Sequence, residues 1–230
     1  MQAVAPLQKD VHAKVKINDS NMAHVQDQHI APVILHEFTR LAAEYPVAFV
    51  KNVDTGQFQS VCILGVKPKQ NCFIKLGQWQ GGYVPMSLRQ APFFLVPAAE
   101  NAEQLIVGIN ETSPRVDLEQ GQALFSDTGE ETDYLKMRRQ ALIDYFEDER
   151  VSQQITHYLA SLGLLIEQEI SLSVAGENVK ISGVYIVNEE KLGALSDEEF
   201  SSLRKKGVLP AIYAQLISLQ QLQRLALLAS

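Results

Sequence analysis

The amino-acid sequence predicts an α+β protein, a mixed or antiparallel sheet with flanking helices in a single domain. Three observations carry that prediction. Short segments that alternate apolar and polar residues recur through the first half of the chain and again near residues 170–187. Longer segments at helical spacing follow, over 133–162 and 210–225. Strands and helices do not alternate regularly enough for a doubly wound parallel sheet. With 230 residues, 46% of them hydrophobic and 20% charged, the chain is long enough to bury a substantial core. The expected organisation is an N-terminal strand or extended segment over 1–30, then one α+β domain over 31–230.

In order along the chain, Val11, Ala13, Val15 and Ile17 alternate with polar neighbours and predict a strand over 11–17. Pro32 opens a helix over 33–44 with Ile34, Phe38, Leu41 and Tyr45 on one side, and Pro46 stops it. Strands over 47–50 and 60–66 join across the turn Asp54-Thr55-Gly56. Further strands read at 71–76, 93–96 and 104–109. Three glycines and a proline exclude a regular helix or strand over 77–85. Thr132 caps a helix past Leu135, Leu142 and Phe146 that breaks near Asp148 and resumes through Ile155, Tyr158, Leu159 and Leu162. A hairpin follows: Ile170, Leu172 and Val174 face Val179 and Ile181 across Gly176-Glu177-Asn178. Ser196-Asp197-Glu198-Glu199 is a capping box, with Leu195 and Phe200 placed as its hydrophobic staple. Pro210 starts the last helix, where Ile212, Leu216, Leu219, Leu222 and Leu225 form a stripe. The stripe reads as core; its second reading is the contact of a homodimer.

A net charge of -7 argues against nucleic acid as a partner and against an anionic membrane surface, because both need clustered cations. The one basic run, Arg204-Lys205-Lys206, reads as a helix end. Residues 111–149 hold eleven acidic and four basic side chains, so the excess is regional; a solvated helical face explains it. No stretch approaches the ~20 apolar residues of a membrane helix, so no membrane insertion is expected. The N-terminus lacks a basic region followed by an apolar run, and Cys62 and Cys72 read as reduced thiols. The expected compartment is the cytoplasm.

Reactive constellations are scarce. His36-Glu37-Phe38-Thr39-Arg40 begins like a helical zinc motif, but Arg40 stands in the second histidine's place and a cation does not ligate zinc. His24, Asp27 and His29, with His157 or His12 as a distant third ligand, are the candidates for a 2-His-1-carboxylate iron site. Nothing in their spacing selects a metal set. There is no nucleophile elbow, P-loop or dinucleotide fingerprint. No catalytic residue and no cofactor is identified. Residues 79–94 differ in kind: Trp79, Tyr83, Arg89 and Phe93 gather around Pro85 and Pro92, and aromatics beside an arginine make binding hot spots. A core role for Trp79 and Phe93 is the competing reading.

The order of motifs resembles the SapC family, named for a protein associated with bacterial surface-layer genes and distinct from the transporter permease that shares the name. Glu37-Phe38, Tyr45-Pro46, Phe49, Leu64-Gly65, Trp79, Tyr83-Val84-Pro85, Leu88-Arg89 and Pro92-Phe93 carry the resemblance in the first half. Leu124-Phe125, Asp127, Gly129 and Thr132 are similar to the family's Phe-Asp-x-x-Gly region, although Ser126 replaces a familiar acidic residue. Gln90-Ala91 likewise replaces a more basic, aromatic pair. Gly163-Leu164-Leu165, Gly183-Val184-Tyr185, Leu195, Phe200, Gly207, Tyr213 and Ser218-Leu219 extend it to the C-terminal half. The resemblance implies a bacterial accessory protein in surface-layer or peptide handling, and no catalytic residues. The leading expectation is thus a non-enzymatic protein that engages a peptide or protein partner. An enzyme with an unfamiliar, metal-dependent, oxygenase-like site is the alternative.

Overall fold

The computed structural model describes residues 4–98, 101 and 104–230 and is α+β, with every strand pairing antiparallel. The chain opens with strand β1 (Val4–Pro6), one helical turn α1 (Lys9–His12) and the two-residue strand β2 (Lys16–Ile17). The alternation over 11–17 thus yields no long strand. His12 is buried, with Nδ1 on the Gln8 backbone and Nε2 3.2 Å from Glu111, and this anchor holds the segment as a turn. β3 (Ile30–Pro32) precedes a 3-10 turn (Leu35–Glu37) and the short helix α2 (Phe38–Leu41). In the hairpin of β4 (Val47–Lys51) and β5 (Phe58–Ile63), Asn52 Oδ1 accepts from the Asp54 and Thr55 N–H groups.

β6 (Ile74–Lys75), within the strand expected over 71–76, and β7 (Gln78–Trp79), inside the stretch expected to be irregular, form a miniature hairpin, and α3 (Met86–Gln90) follows. β8 (Phe93–Pro97) and β9 (Leu105–Asn110) stand where the sequence places them; β10 (Val116–Asp117) and β11 (Gln122–Ala123) are short additions. Helix α4 (Asp133–Ser161) is unbroken over 29 residues. It contains no proline or glycine, and Asp148 meets His36 at 3.4 Å instead of interrupting it. β12 (Leu165–Val174) and β13 (Glu177–Val187) turn at Ala175-Gly176, earlier than expected, because a two-residue turn needs the left-handed φ of 50° and 86° found there. Helices α5 (Glu189–Gly193), α6 (Asp197–Lys205), α7 (Leu209–Ser218) and α8 (Gln221–Leu228) complete the chain, so the expected last helix is two.

The residues group into two compact units, each drawn from three stretches. The first comprises Met1–Gln26, Ile74–Gln80 and Met86–Glu147. It holds the sheets β1-β9-β8 and β10-β2-β11 and the β6-β7 hairpin, over a core that includes Ile17, Phe93, Ile109, Leu124 and Leu135. Thr132 ties α4 to this core: its hydroxyl donates to the Ala123 carbonyl and accepts from Leu135 N–H, the cap the sequence predicts.

The second unit comprises Asp27–Phe73, Gly81–Pro85 and Asp148–Ser230 and is built on the sheet β12-β13-β4-β5-β3. Phe38, Tyr45, Phe49 and Phe73 are fully buried in it. Ile212 and Leu225 of the C-terminal stripe are buried as well and Leu216, Leu219 and Leu222 are half-buried, whereas Tyr213 and Ile217 face outward. Among the described residues no helix is long and apolar enough to cross a membrane.

Candidate functional site

In the first unit Lys75 pairs with Gln78, so Leu76 and Gly77 are the two-residue turn of the β6-β7 hairpin, with φ of 51° and 72°. Glycine enters this region freely, whereas for an L residue such as leucine it costs roughly 1–2 kcal/mol. Leu76 is also 95% exposed. A large apolar side chain held outward in a disfavoured conformation contributes nothing to the core. It is part of the lining of a recess of about 670 Å³ whose other side chains are the polar Asn18, Ser20, Asn21, Gln26 and Gln78 and the apolar Ala23 and Ile74, with no charged residue among the described lining. Amides and a hydroxyl of this kind can donate and accept, which suits the main chain of a peptide.

A buried arginine holds this surface together. Arg115 is 2% exposed, and its guanidinium donates to the carbonyls of Asn21 (3.0 Å), Asp19 (3.2 Å), Arg89 (3.2 Å) and Ala91 (2.6 Å). Burial lowers its pKa to about 10, so it stays charged at neutral pH. Segment 19–24 is thereby fixed to the turn after α3. The same segment reaches the hairpin, where Met22 N–H donates to the Gly77 carbonyl at 2.8 Å. His24 Nε2 lies 3.3 Å from the Leu88 carbonyl in α3. One loop thus positions both the hairpin of Trp79 and the helix of Arg89. Arg138 adds a hydrogen bond to the Arg89 carbonyl.

The four binding residues expected from sequence divide between the units. Trp79 is half-buried on β7 and the Arg89 side chain is exposed, both in the first unit. Phe93, expected at the surface, is 1% exposed and sits in that unit's core with Arg138 5.7 Å from its ring centre; its alternation in β8 points it inward. Tyr83 belongs to the second unit, where its hydroxyl donates to buried Glu37 (2.8 Å) and its carbonyl accepts from Tyr45 (2.5 Å). Arg40, the residue that breaks the zinc motif, stacks on the Tyr83 ring at 4.6 Å. Gly82 N–H donates to Glu44 at 2.7 Å, and a Cβ at Gly82 would meet that carboxylate at the same distance. Tyr83 is thus the clip that fastens 81–85 to α2.

His24 lies in the first unit, whereas Asp27, His29 and His157 lie in the second. Among the described residues no three of His, Cys, Asp or Glu gather as a metal ion requires. Both cysteines are free. Burial, and behind it the Glu37 carboxylate, pushes the Cys62 thiol far up, and Cys72 is raised by burial too, so neither offers a thiolate. Burial, then the charge of Arg115, lowers His24 to about 4 from 6.5. The folded state therefore binds fewer protons than the unfolded between those values, and stability falls as pH drops from about 6.5 towards 4. Denaturant titrations at pH 7 and pH 4.5 should differ by on the order of 1 kcal/mol through this group, since solvent screens part of the shift at a half-buried ring. His24→Gln should remove that share of the difference.

The SapC family's sequence model matches residues 7–225, spanning both units. The chain belongs to the SapC family. No curated protein and no solved structure matches it. Of the motifs that carry the family likeness, Glu37-Phe38, Tyr45-Pro46 and Tyr83-Val84-Pro85 converge in the Tyr83 clip. Leu88-Arg89 instead lies in the first unit, the Leu88 carbonyl beside His24 and the Arg89 carbonyl on the Arg115 guanidinium.

Proposed function

We propose that this SapC-family chain is a binding protein that takes an extended segment of a peptide or protein partner on its first unit. Leu76 is the apolar anchor, the amide-lined recess pairs with partner main chain, and Trp79 and Arg89 flank it. The observation that carries this reading is Leu76 itself: left-handed, 95% exposed and fixed at a hairpin tip that Met22 pins. Membership of the family supports a partner in surface-layer or peptide handling. The fixed backbone around Arg115 lowers the entropy lost on capture.

Trp79 is the sole tryptophan, so its emission reports events at the hairpin directly. Peptides selected from a displayed library against the full chain should shift that emission on binding. Leu76→Gly should weaken them at least tenfold while raising stability by about 1 kcal/mol through release of the left-handed strain. Arg89→Ala should weaken them with the melting temperature unchanged. Selected peptides that bind all three proteins equally, or a library that yields none, refute the reading.

A further inference from the structure

The second unit carries a separate recess, of about 310 Å³, on one face of its five-stranded sheet. Its apolar floor is formed by Val50, Val61, Ile63, Val66, Ile181 and Val184. Val61, Ile63 and Val184 are buried, whereas Val50 and Ile181 are half-buried and open to the space. The wall is built rather than loose. Both Leu64 and Gly65 N–H groups donate to the His29 carbonyl, at 2.7 and 3.0 Å, and Val66 N–H donates to Gln70 Oε1 at 3.2 Å. A Cβ on Gly65 would fall 2.0 Å from the Gln70 carbonyl oxygen, so only glycine closes this turn. The cavity is therefore preformed.

Charge at the mouth has one sign. The ionisable residues lining it are His29, Lys67 and Lys180, with no carboxylate, in a chain whose net charge is -7. Just outside, the register shift between Gln168 and Ile170 brings Glu169 to 2.7 Å from the Lys180 ammonium, which partly neutralises it. Lys67 forms no ion pair among the described residues. One uncompensated cation above an apolar pocket selects a single negative charge on an apolar body. A volume near the lower end of the roughly 300–1,000 Å³ typical of ligand sites limits that body to a small molecule.

We infer that this recess binds a small monocarboxylate with an apolar tail, the tail on the sheet face and the carboxylate at Lys67. The site is independent of the hairpin surface and stands or falls separately. Calorimetric titration of the full chain with octanoate tests it. Uptake should be saturable at one site, and 1-octanol, of equal chain length but uncharged, should bind at least tenfold more weakly. Affinity should climb from butyrate to octanoate by up to about fourfold per buried methylene.

Two exposed variants that leave the fold alone have opposite expected signs. Lys67→Gln weakens octanoate about fivefold, and Glu169→Gln, which releases Lys180, strengthens it severalfold. Val50→Glu, checked for a native melting profile, abolishes uptake. No saturable binding, equal affinity for octanoate and octanol, or both variants shifting affinity the same way would overturn the assignment.

Discussion

Replacing Arg115 with methionine should destabilise the protein by about 3–5 kcal/mol, the largest loss expected of any single side chain in the first unit. Methionine keeps most of the apolar stem but removes every donor of the fork. The carbonyls of Asp19, Asn21, Arg89 and Ala91 then lose the guanidinium they share. Each acceptor left dry inside the protein costs roughly 1–3 kcal/mol, and relaxation toward water recovers part of it. At 2–4 °C per kcal/mol for a chain of this size, the melting temperature should fall by roughly 10 °C. Lysine should not rescue it, because three donors on a point charge cannot serve carbonyls spread around a planar fork. Trp79 emission should shift in the same variant, since Met22 links segment 19–24 to the hairpin. An Arg115→Met protein that melts within 2 °C of the parent would show that the cluster is not what holds this surface.

What the sequence reveals of this fold follows the range of the interactions involved. Thr132 and Ser196 are legible as caps because donor and acceptor lie within one helical turn. Asn52 at the β4-β5 turn is local in the same sense, and the strands at 93–97 and 105–110 follow from alternation alone. The 11–17 segment misleads because His12 answers to Glu111, 99 positions away, and that bond outweighs a weak period of two. In the candidate site, density of aromatics marks the right segment but cannot distinguish the buried ring of Phe93 from the half-exposed one of Trp79. Leu76 escapes because its significance is a backbone angle. The only local sign is the following Gly77, with the Leu76-Gly77 pair set between polar Lys75 and Gln78, a weak two-residue turn signature. Arg115 looks like one cation in an acidic stretch until its acceptors, from four separate positions, are seen around it.

Gln215→Leu should cost the second unit about 2–4 kcal/mol, even though it places an apolar residue of similar size on an apolar helix. β13 pairs with β4 at Val184–Val50 and Tyr185–Phe49, and two positions further in that register Val187 would face Val47. There the side chain of fully buried Gln215 stands between the strands: its Oε1 accepts from Val187 N–H at 3.0 Å and its Nε2 donates to the Val47 carbonyl at 3.1 Å. An amide with one acceptor and one donor reproduces a peptide group, so the ladder continues through α7. Ser218 completes it by accepting from Val47 N–H at 2.9 Å while donating to the Gln215 carbonyl at 2.6 Å. Leucine removes both functions, and glutamate would set a carboxylate against the Val47 carbonyl, so neither substitutes. Because both side chains serve Val47, Gln215→Leu and Ser218→Ala should be less than additive, by at least 0.5 kcal/mol in a double-mutant cycle. Strict additivity, or a neutral Gln215→Leu, would mean that β4 and β13 close directly and that the glutamine is only a passenger of the core.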